Sequence, residues 1–188
     1  MTDTELLSQL INEQSKLQLE TEYDRHHCVS LIEPGQSDSR IVIKNMPYDS
    51  FVIKSDKFSS PDLIFKGDRG ECKRADYIII SEERKCVLFV EIKRTKDSWN
   101  EIVQQLKGSQ CFLEYCQSVA KIFWNKADFL SDYKMRFISI AHTGSIQKRK
   151  PFNSREEQIG KIHDSAERAM KIAYAPRIQF KTIAALGS

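Results

Sequence analysis

The stretch Arg74-Ala-Asp76-Tyr-Ile-Ile-Ile80-Ser-Glu-Glu-Arg-Lys85-Cys-Val-Leu-Phe-Val90-Glu91-Ile-Lys93 decides how this chain of 188 residues is read. Two apolar runs, Tyr77-Ile-Ile-Ile80 and Val87-Leu-Phe-Val90, flank the polar Glu82-Glu-Arg-Lys85. β-Branched and aromatic residues suit a pleated surface, and the polar tetrapeptide supplies a turn. The expectation is an antiparallel hairpin with strands over 76–80 and 86–93, both substantially buried.

Antiparallel pairing sets the start of the first strand beside the end of the second. Asp76 therefore falls next to Glu91 and Lys93, and those two, being two residues apart, project from one face. Three ionisable groups converge at one edge of the sheet, on the rim of apolar strands where charge is costly unless compensated. A divalent cation is the natural compensation. The carboxylates of Asp76 and Glu91 with the backbone carbonyl of Ile92 form a hard-oxygen set suited to Mg²⁺ or Mn²⁺. Such an ion acidifies a water and offsets charge developing on a phosphate. The Lys93 ammonium would orient or deprotonate the attacking water, or stabilise the transition state. The same residues also admit a plainer reading, an edge hairpin whose Asp and Lys form a surface ion pair.

Downstream, Ser98-Trp-Asn-Glu101 fits a capping box and predicts a helix from 99 to about 120. A strand is expected over 135–141, then a break at Thr143-Gly144-Ser145 and a basic loop, Gln147-Lys-Arg-Lys-Pro151. A second capping box, Ser154-Arg-Glu-Glu157, predicts a helix to about Tyr174, with Pro176 as its stop and a last strand over 177–183. Upstream, leucine and isoleucine at 6, 7, 10, 11 and 17 predict an amphipathic helix over 4–22. The segment 32–40 reads as a loop, followed by short strands over 40–44, 50–54 and 62–66. This order describes an α/β (α+β) chain, a central mixed sheet flanked by helices, in a single domain over 1–188.

The layout resembles the PD-(D/E)xK nuclease superfamily, the restriction-endonuclease-like fold. In that family an aspartate begins one core strand, Glu-x-Lys ends the next, and a helix follows, often with a glutamine near its start. Here Asp76, Glu91-Ile-Lys93, Gln104 and Gln105 match, with Gln110 and Tyr115 further along the helix. The resemblance covers a catalytic core of about 70–120, ahead of a basic part over 121–188. It implies Asp76, Glu91 and Lys93 as catalytic residues and Asp76, Glu91 and the Ile92 carbonyl as ligands of Mg²⁺ or Mn²⁺. The proline that often precedes the family's aspartate is replaced by Ala75. Pro61-Asp62 spells the dipeptide but lies a full strand further from Glu91, so Asp76 is preferred. Family members often add an acid from the first helix; Glu13 and Glu20 share a face there, Glu22 ends it, and Glu20 is the favoured extra ligand. His26 and His27 are candidate ligands on a connector, where a neutral histidine is the commoner role.

Net charge is +3 but unevenly spread. Residues 1–38 hold two basic and eight acidic side chains, residues 39–120 fourteen and twelve, and residues 121–188 thirteen and six. Lys148, Arg149, Lys150 and Arg155, with Arg94, Lys96 and Gln105, are the candidate nucleic-acid contacts. A solvated basic loop is the bland alternative. Trp99 and Trp124 are either stacking residues or core, with core the commoner fate at helical positions. The five cysteines, Cys28, Cys72, Cys86, Cys111 and Cys116, contain no Cys-x-x-Cys pair, which argues against a zinc site or a disulfide framework. Apolar runs are of strand length, and Met-Thr-Asp-Thr-Glu lacks a basic leader; a cytoplasmic protein without membrane contact is expected.

The expected function is metal-dependent hydrolysis of phosphodiester bonds in nucleic acid, DNA in preference to RNA by the resemblance. Two alternatives stand beside it: a nucleic-acid- or protein-binding module without turnover, and a nuclease subunit active only with a partner or ligand. The sequence leaves a homodimer or a protein partner open.

Overall fold

The computed structural model describes residues 1–22, 26–32, 40–93, 98–141, 162–172 and 175–185. Strands β1 (Lys16–Leu17), β2 (Glu20–Thr21), β3 (His27–Ile32), β4 (Arg40–Met46) and β5 (Phe51–Lys54) precede the expected hairpin. Its arms are β6 (Tyr77–Ser81) and β7 (Cys86–Lys93), in a register that sets Tyr77 opposite Val90 and Ser81 opposite Cys86. Strands β8 (Lys134–Ala141), β9 (Met170–Ile172) and β10 (Arg177–Gln179) complete the set. Among the described residues the α-helices are α1 (Asp3–Leu10), α2 (Trp99–Phe123) and the single turn α3 (Phe180–Ile183).

The strands form two mixed sheets. One has the order β1-β5-β6-β7-β8-β9 and the other β10-β4-β3-β2. In the six-stranded sheet β5, β6 and β7 run as an antiparallel meander, and α2 carries the chain over to β8, which lies parallel to β7. The period of two along β6 and β7 sorts their side chains between two cores. Ile78, Ile80, Val87 and Phe89 pack with Leu6 and Leu7 of α1 and Leu106 and Leu113 of α2. Ile79, Leu88, Val90 and Ile92 pack on Val29, Leu31, Ile41 and Ile43 of the second sheet. A strand covered on both faces has no polar side, and this is why these runs are continuously apolar rather than alternating. Each such side chain contributes about 1.5–3 kcal/mol by burial. Tyr77 joins the two sheets: its hydroxyl donates to the Ile32 carbonyl at 2.6 Å and accepts the Ile32 N–H at 3.1 Å.

Several expectations are corrected. The first helix ends at Leu10, not 22, because Asn12 caps a new turn by accepting the Gln14 N–H at 3.1 Å, and the short strands β1 and β2 follow. Residues 62–66 are a turn rather than a strand, with the Pro61 carbonyl accepting from Ile64 at 2.9 Å and Phe65 at 2.8 Å. β3 occupies a segment where no strand was expected. The helix predicted to reach Tyr174 is not present over 162–172, which hold a 3-10 turn at Ala166–Arg168 and β9. The last strand stops at Gln179 and gives way to α3. The basic loop and the second capping box lie outside the described residues. Among the described residues no helix is long and apolar enough to cross a membrane.

Candidate active site

Continuing the β6–β7 register one step past Tyr77 and Val90 brings Asp76 opposite Glu91. Both residues share parity with Ile78 and Phe89, so their side chains lie on the α2 face of the sheet. The Asp76 backbone N–H donates to Glu91 Oε2 at 3.2 Å, and the Ile92 N–H donates to Asp76 Oδ2 at 2.8 Å. Each carboxylate thus serves the backbone of the facing strand where the regular ladder ends. Lys93 Nζ stands 2.8 Å from Glu91 Oε1. Glu91 is fully buried, Asp76 is 9% exposed, and the Lys93 side chain is 19% exposed. The three residues predicted to converge are brought together on one face.

The electrostatics follow from that geometry. Burial, and then the neighbouring Asp76 carboxylate, push the Glu91 carboxyl up to about 8, while the Lys93 ammonium holds it back. A second positive charge here would relieve the repulsion that one lysine leaves. Two carboxylates and adjacent peptide oxygen are hard donors of the kind Mg²⁺ and Mn²⁺ prefer, so the residues present fit such an ion in chemistry. Asp76 and Glu91 would hold it. Among the described residues no group of three or more His, Cys, Asp or Glu side chains is gathered as a metal site.

Glu20, the expected extra ligand, stands apart from this cluster. It is not on a helix but in β2, at the edge of the second sheet. It accepts from Ser30 Oγ at 2.8 Å and pairs with Arg40 at 3.3 Å. The helical face that was to carry Glu13 and Glu20 does not exist; Glu13 pairs with Lys16, and Glu22 with Lys44 at 2.9 Å. His27 lies in β3 with Nδ1 3.5 Å from Thr21 Oγ1, and His26 is exposed. Asp62 is exposed in its turn.

α2 fixes the segment that carries Asp76. Ser98 Oγ accepts the Glu101 N–H at 3.2 Å, while Glu101 pairs with Lys73 at 3.2 Å. At Gly108 the helix meets the Lys73 carbonyl so closely that a Cβ would come within 1.7 Å of that oxygen. Ser109 Oγ accepts the Ala75 N–H at 2.9 Å, and Ser55 Oγ donates to the Ala75 carbonyl at 2.6 Å. The Ser55 N–H donates to the Asp76 carbonyl at 2.9 Å. These positioning residues escaped the sequence reading; the small pair Gly108-Ser109 inside an otherwise bulky helix was the signal.

Gln105 is half-buried on the same helix, and its Oε1 is buried without a hydrogen-bond partner among the described residues. Trp99 packs against the helix-side core with Lys171 Nζ 3.6 Å from its ring centroid, and Trp124 donates to Gln9 at 3.2 Å. Neither tryptophan presents a bare ring. All five cysteines are free thiols. Arg94, Lys96, Lys148, Arg149, Lys150 and Arg155 lie outside the described residues. Comparison of the chain with protein-family models, with curated proteins and with solved structures found no match.

Proposed function

We propose that this protein is a metal-dependent nuclease, hydrolysing phosphodiester bonds of nucleic acid at Asp76, Glu91 and Lys93, on a restriction-endonuclease-like core. The observation that carries the reading is the meeting of two buried carboxylates and one lysine on one face at the open end of a hairpin. Packing gains nothing from such a cluster, since apolar residues there would avoid the cost of burying charge. The chain order supports it too: an aspartate before one core strand, Glu-x-Lys ending its neighbour, then a capped helix, as in the family the sequence resembles. The preference for DNA over RNA comes from that resemblance alone.

A bound Mg²⁺ or Mn²⁺ would supply Lewis acidity towards the attacking water and the phosphate. Asp76 and Glu91 would hold that ion, each steadied by a backbone N–H of the opposite strand. Lys93, the most exposed of the three, keeps its ammonium beside Glu91, where it would orient the nucleophile or meet charge developing on phosphate oxygens. A binding module without turnover is favoured by one observation: both carboxylates already accept backbone N–H groups, as structural caps would. Incubating plasmid, linear duplex, single-stranded DNA and RNA with Mg²⁺, Mn²⁺ or EDTA separates the two. Cleavage that EDTA stops is expected, and inertness towards every substrate in both metals would reject the nuclease.

A further inference from the structure

Between β5 and β6 the chain makes a long excursion, residues 55–76, that packs on α2. At its middle the Pro61 carbonyl accepts the Ile64 and Phe65 N–H groups, and the resulting turn displays three consecutive apolar side chains. Leu63 is 98% exposed, Ile64 81% and Phe65 52%. Cross-links hold the turn: Cys72 Sγ donates to the Phe65 carbonyl at 3.7 Å, and Ser60 Oγ to the Cys72 carbonyl at 3.2 Å. Phe58, earlier in the same excursion, has its ring centroid 4.8 Å from Phe112 and 6.2 Å from Tyr115, both on α2. Phe58 and Tyr115 are 38% and 58% exposed. Taking about 150–250 Å² for a whole side chain of this size, Phe58, Leu63, Ile64, Phe65 and Tyr115 leave roughly 500–800 Å² open. The largest apolar patch on an ordinary monomer is about 300–600 Å², and each side of a stable protein interface contributes about 800 Å².

The charges of the excursion decide what covers this surface. Residues 55–76 hold five acidic and five basic side chains, so the excursion has no net charge. A polyanion or an anionic lipid face would require an excess of cations. Around the turn, Asp62, Lys66, Asp68 and Arg69 are all exposed, and none is in an ion pair among the described residues. Two acids and two bases beside an apolar centre are complementary to a copy of themselves. In a two-fold interface every contact of residue i with residue j occurs twice, so one axis can set the acids of each copy against the bases of the other. Opposed charges at the rim then fix the register while the apolar centre supplies the affinity.

We propose that the turn bearing Leu63, Ile64 and Phe65, with Phe58 and Tyr115 beside it, is a two-fold interface between two copies of this chain. Sedimentation equilibrium of the full chain over micromolar concentrations tests it, and its readout of mass is independent of the nuclease reading. The wild-type protein should sediment as a dimer that dissociates on dilution. Leu63→Glu and Ile64→Glu should each raise the dissociation constant by about tenfold or more, since each buries a carboxylate in an apolar centre. Both side chains are exposed in the single chain, so thermal denaturation of the monomeric variants should show an intact fold. A second pair of variants tests the self-complementary charge. Asp62→Lys with Asp68→Lys gives the turn one sign, and Lys66→Glu with Arg69→Glu gives it the other. Each of these double variants should be monomeric alone, and an equimolar mixture of the two should form a mixed dimer. A monomeric wild type would overturn the interface, and one that also floats with vesicles of phosphatidylcholine and phosphatidylserine would assign the turn to a lipid surface. A dimer that survives both glutamate substitutions, or double variants that fail to pair when mixed, would overturn it as well.

Discussion

Asp76 and Glu91 each hold the backbone of the other's strand: the Asp76 N–H donates to Glu91 Oε2 at 3.2 Å, and the N–H of Ile92 donates to Asp76 Oδ2 at 2.8 Å. This exchange fixes both carboxylates in place. It also concentrates negative charge at one end of an apolar sheet, and the first predictions concern that charge.

Lys93→Ala should lower cleavage on the order of a hundredfold or more, as expected for loss of a positioned acid–base or charge-stabilising group. The fold should persist, because Glu91 can take up a proton in place of its lost cation. Asp76→Ala should also be inactive, but through weakened Mn²⁺ binding measurable by calorimetry. Cleavage at the wild-type rate in both variants would place the chemistry elsewhere.

The Glu91 carboxyl gives stability a definite pH dependence. Its ordinary value is about 4.5, and in the fold it rises to about 8. Below pH 4.5 folded and unfolded chains both hold the proton, and the contribution to stability is fully present. As pH rises towards 8 the unfolded chain releases it first, so this contribution is lost across that window. Urea denaturation should show a decline on the order of a few kcal/mol between those limits, and Glu91→Gln should flatten it. An unchanged slope in the variant would show that other groups govern it.

Metal binding should act in the opposite sense. An ion held only by the folded chain stabilises it by about 2.7 kcal/mol at roughly a hundred times its Kd. Mn²⁺ should therefore raise the thermal midpoint at about pH 7 and release protons from Glu91, detectable as a buffer-dependent binding enthalpy. Asp76→Ala should abolish both effects. A midpoint indifferent to Mg²⁺ and Mn²⁺ would count against the metal site.

Gly108 pits helix propensity against close approach. Alanine is about 1 kcal/mol better than glycine within an exposed helix. Here the added Cβ would approach the Lys73 carbonyl to 1.7 Å, and backbone on both sides would have to move. The clash should win, with Gly108→Ala losing about 1–3 kcal/mol in denaturant titration and reducing cleavage as the segment before Asp76 shifts. A stabilised variant would mean that α2 and the 73–75 segment are not locked together.

The basic segment 148–150 is tested by salt. Replacing Lys148, Arg149 and Lys150 by alanine should weaken nucleic-acid binding and flatten the plot of log affinity against log salt. The slope should fall by about 0.9 for each duplex phosphate that is no longer neutralised. An unaltered slope would mean that these side chains meet only solvent.

Much of the site was legible because it depends on local pattern. Two apolar runs around a polar turn permit few alternatives, and a period of two then places Glu91 and Lys93 on one face with Asp76 across from them. The end of the first helix was harder to read. Leu6, Leu7, Leu10, Ile11 and Leu17 satisfy a helical period, yet Asn12 offers the backbone a competing cap, and Leu17 and Leu19 instead pack against the core between the two sheets. Glu20 went with that error.

By itself, the sequence determined the β6–β7 hairpin, the capped helix after it, and the convergence of three ionisable side chains, since each follows from interactions within a few residues or across one tight turn. Only the tertiary structure decided that a second sheet covers the far face of the first, that Glu20 pairs with Arg40 rather than joining Asp76, and that Gly108 and Ser109 brace the segment before the site. Those outcomes depend on which distant surfaces meet: Ser109 is 34 residues from Ala75, and the fit of a helix against a carbonyl leaves no periodic trace in the chain. The depth of Glu91's burial has the same origin, since it takes helix, sheet and neighbouring strand together to remove water from one carboxylate.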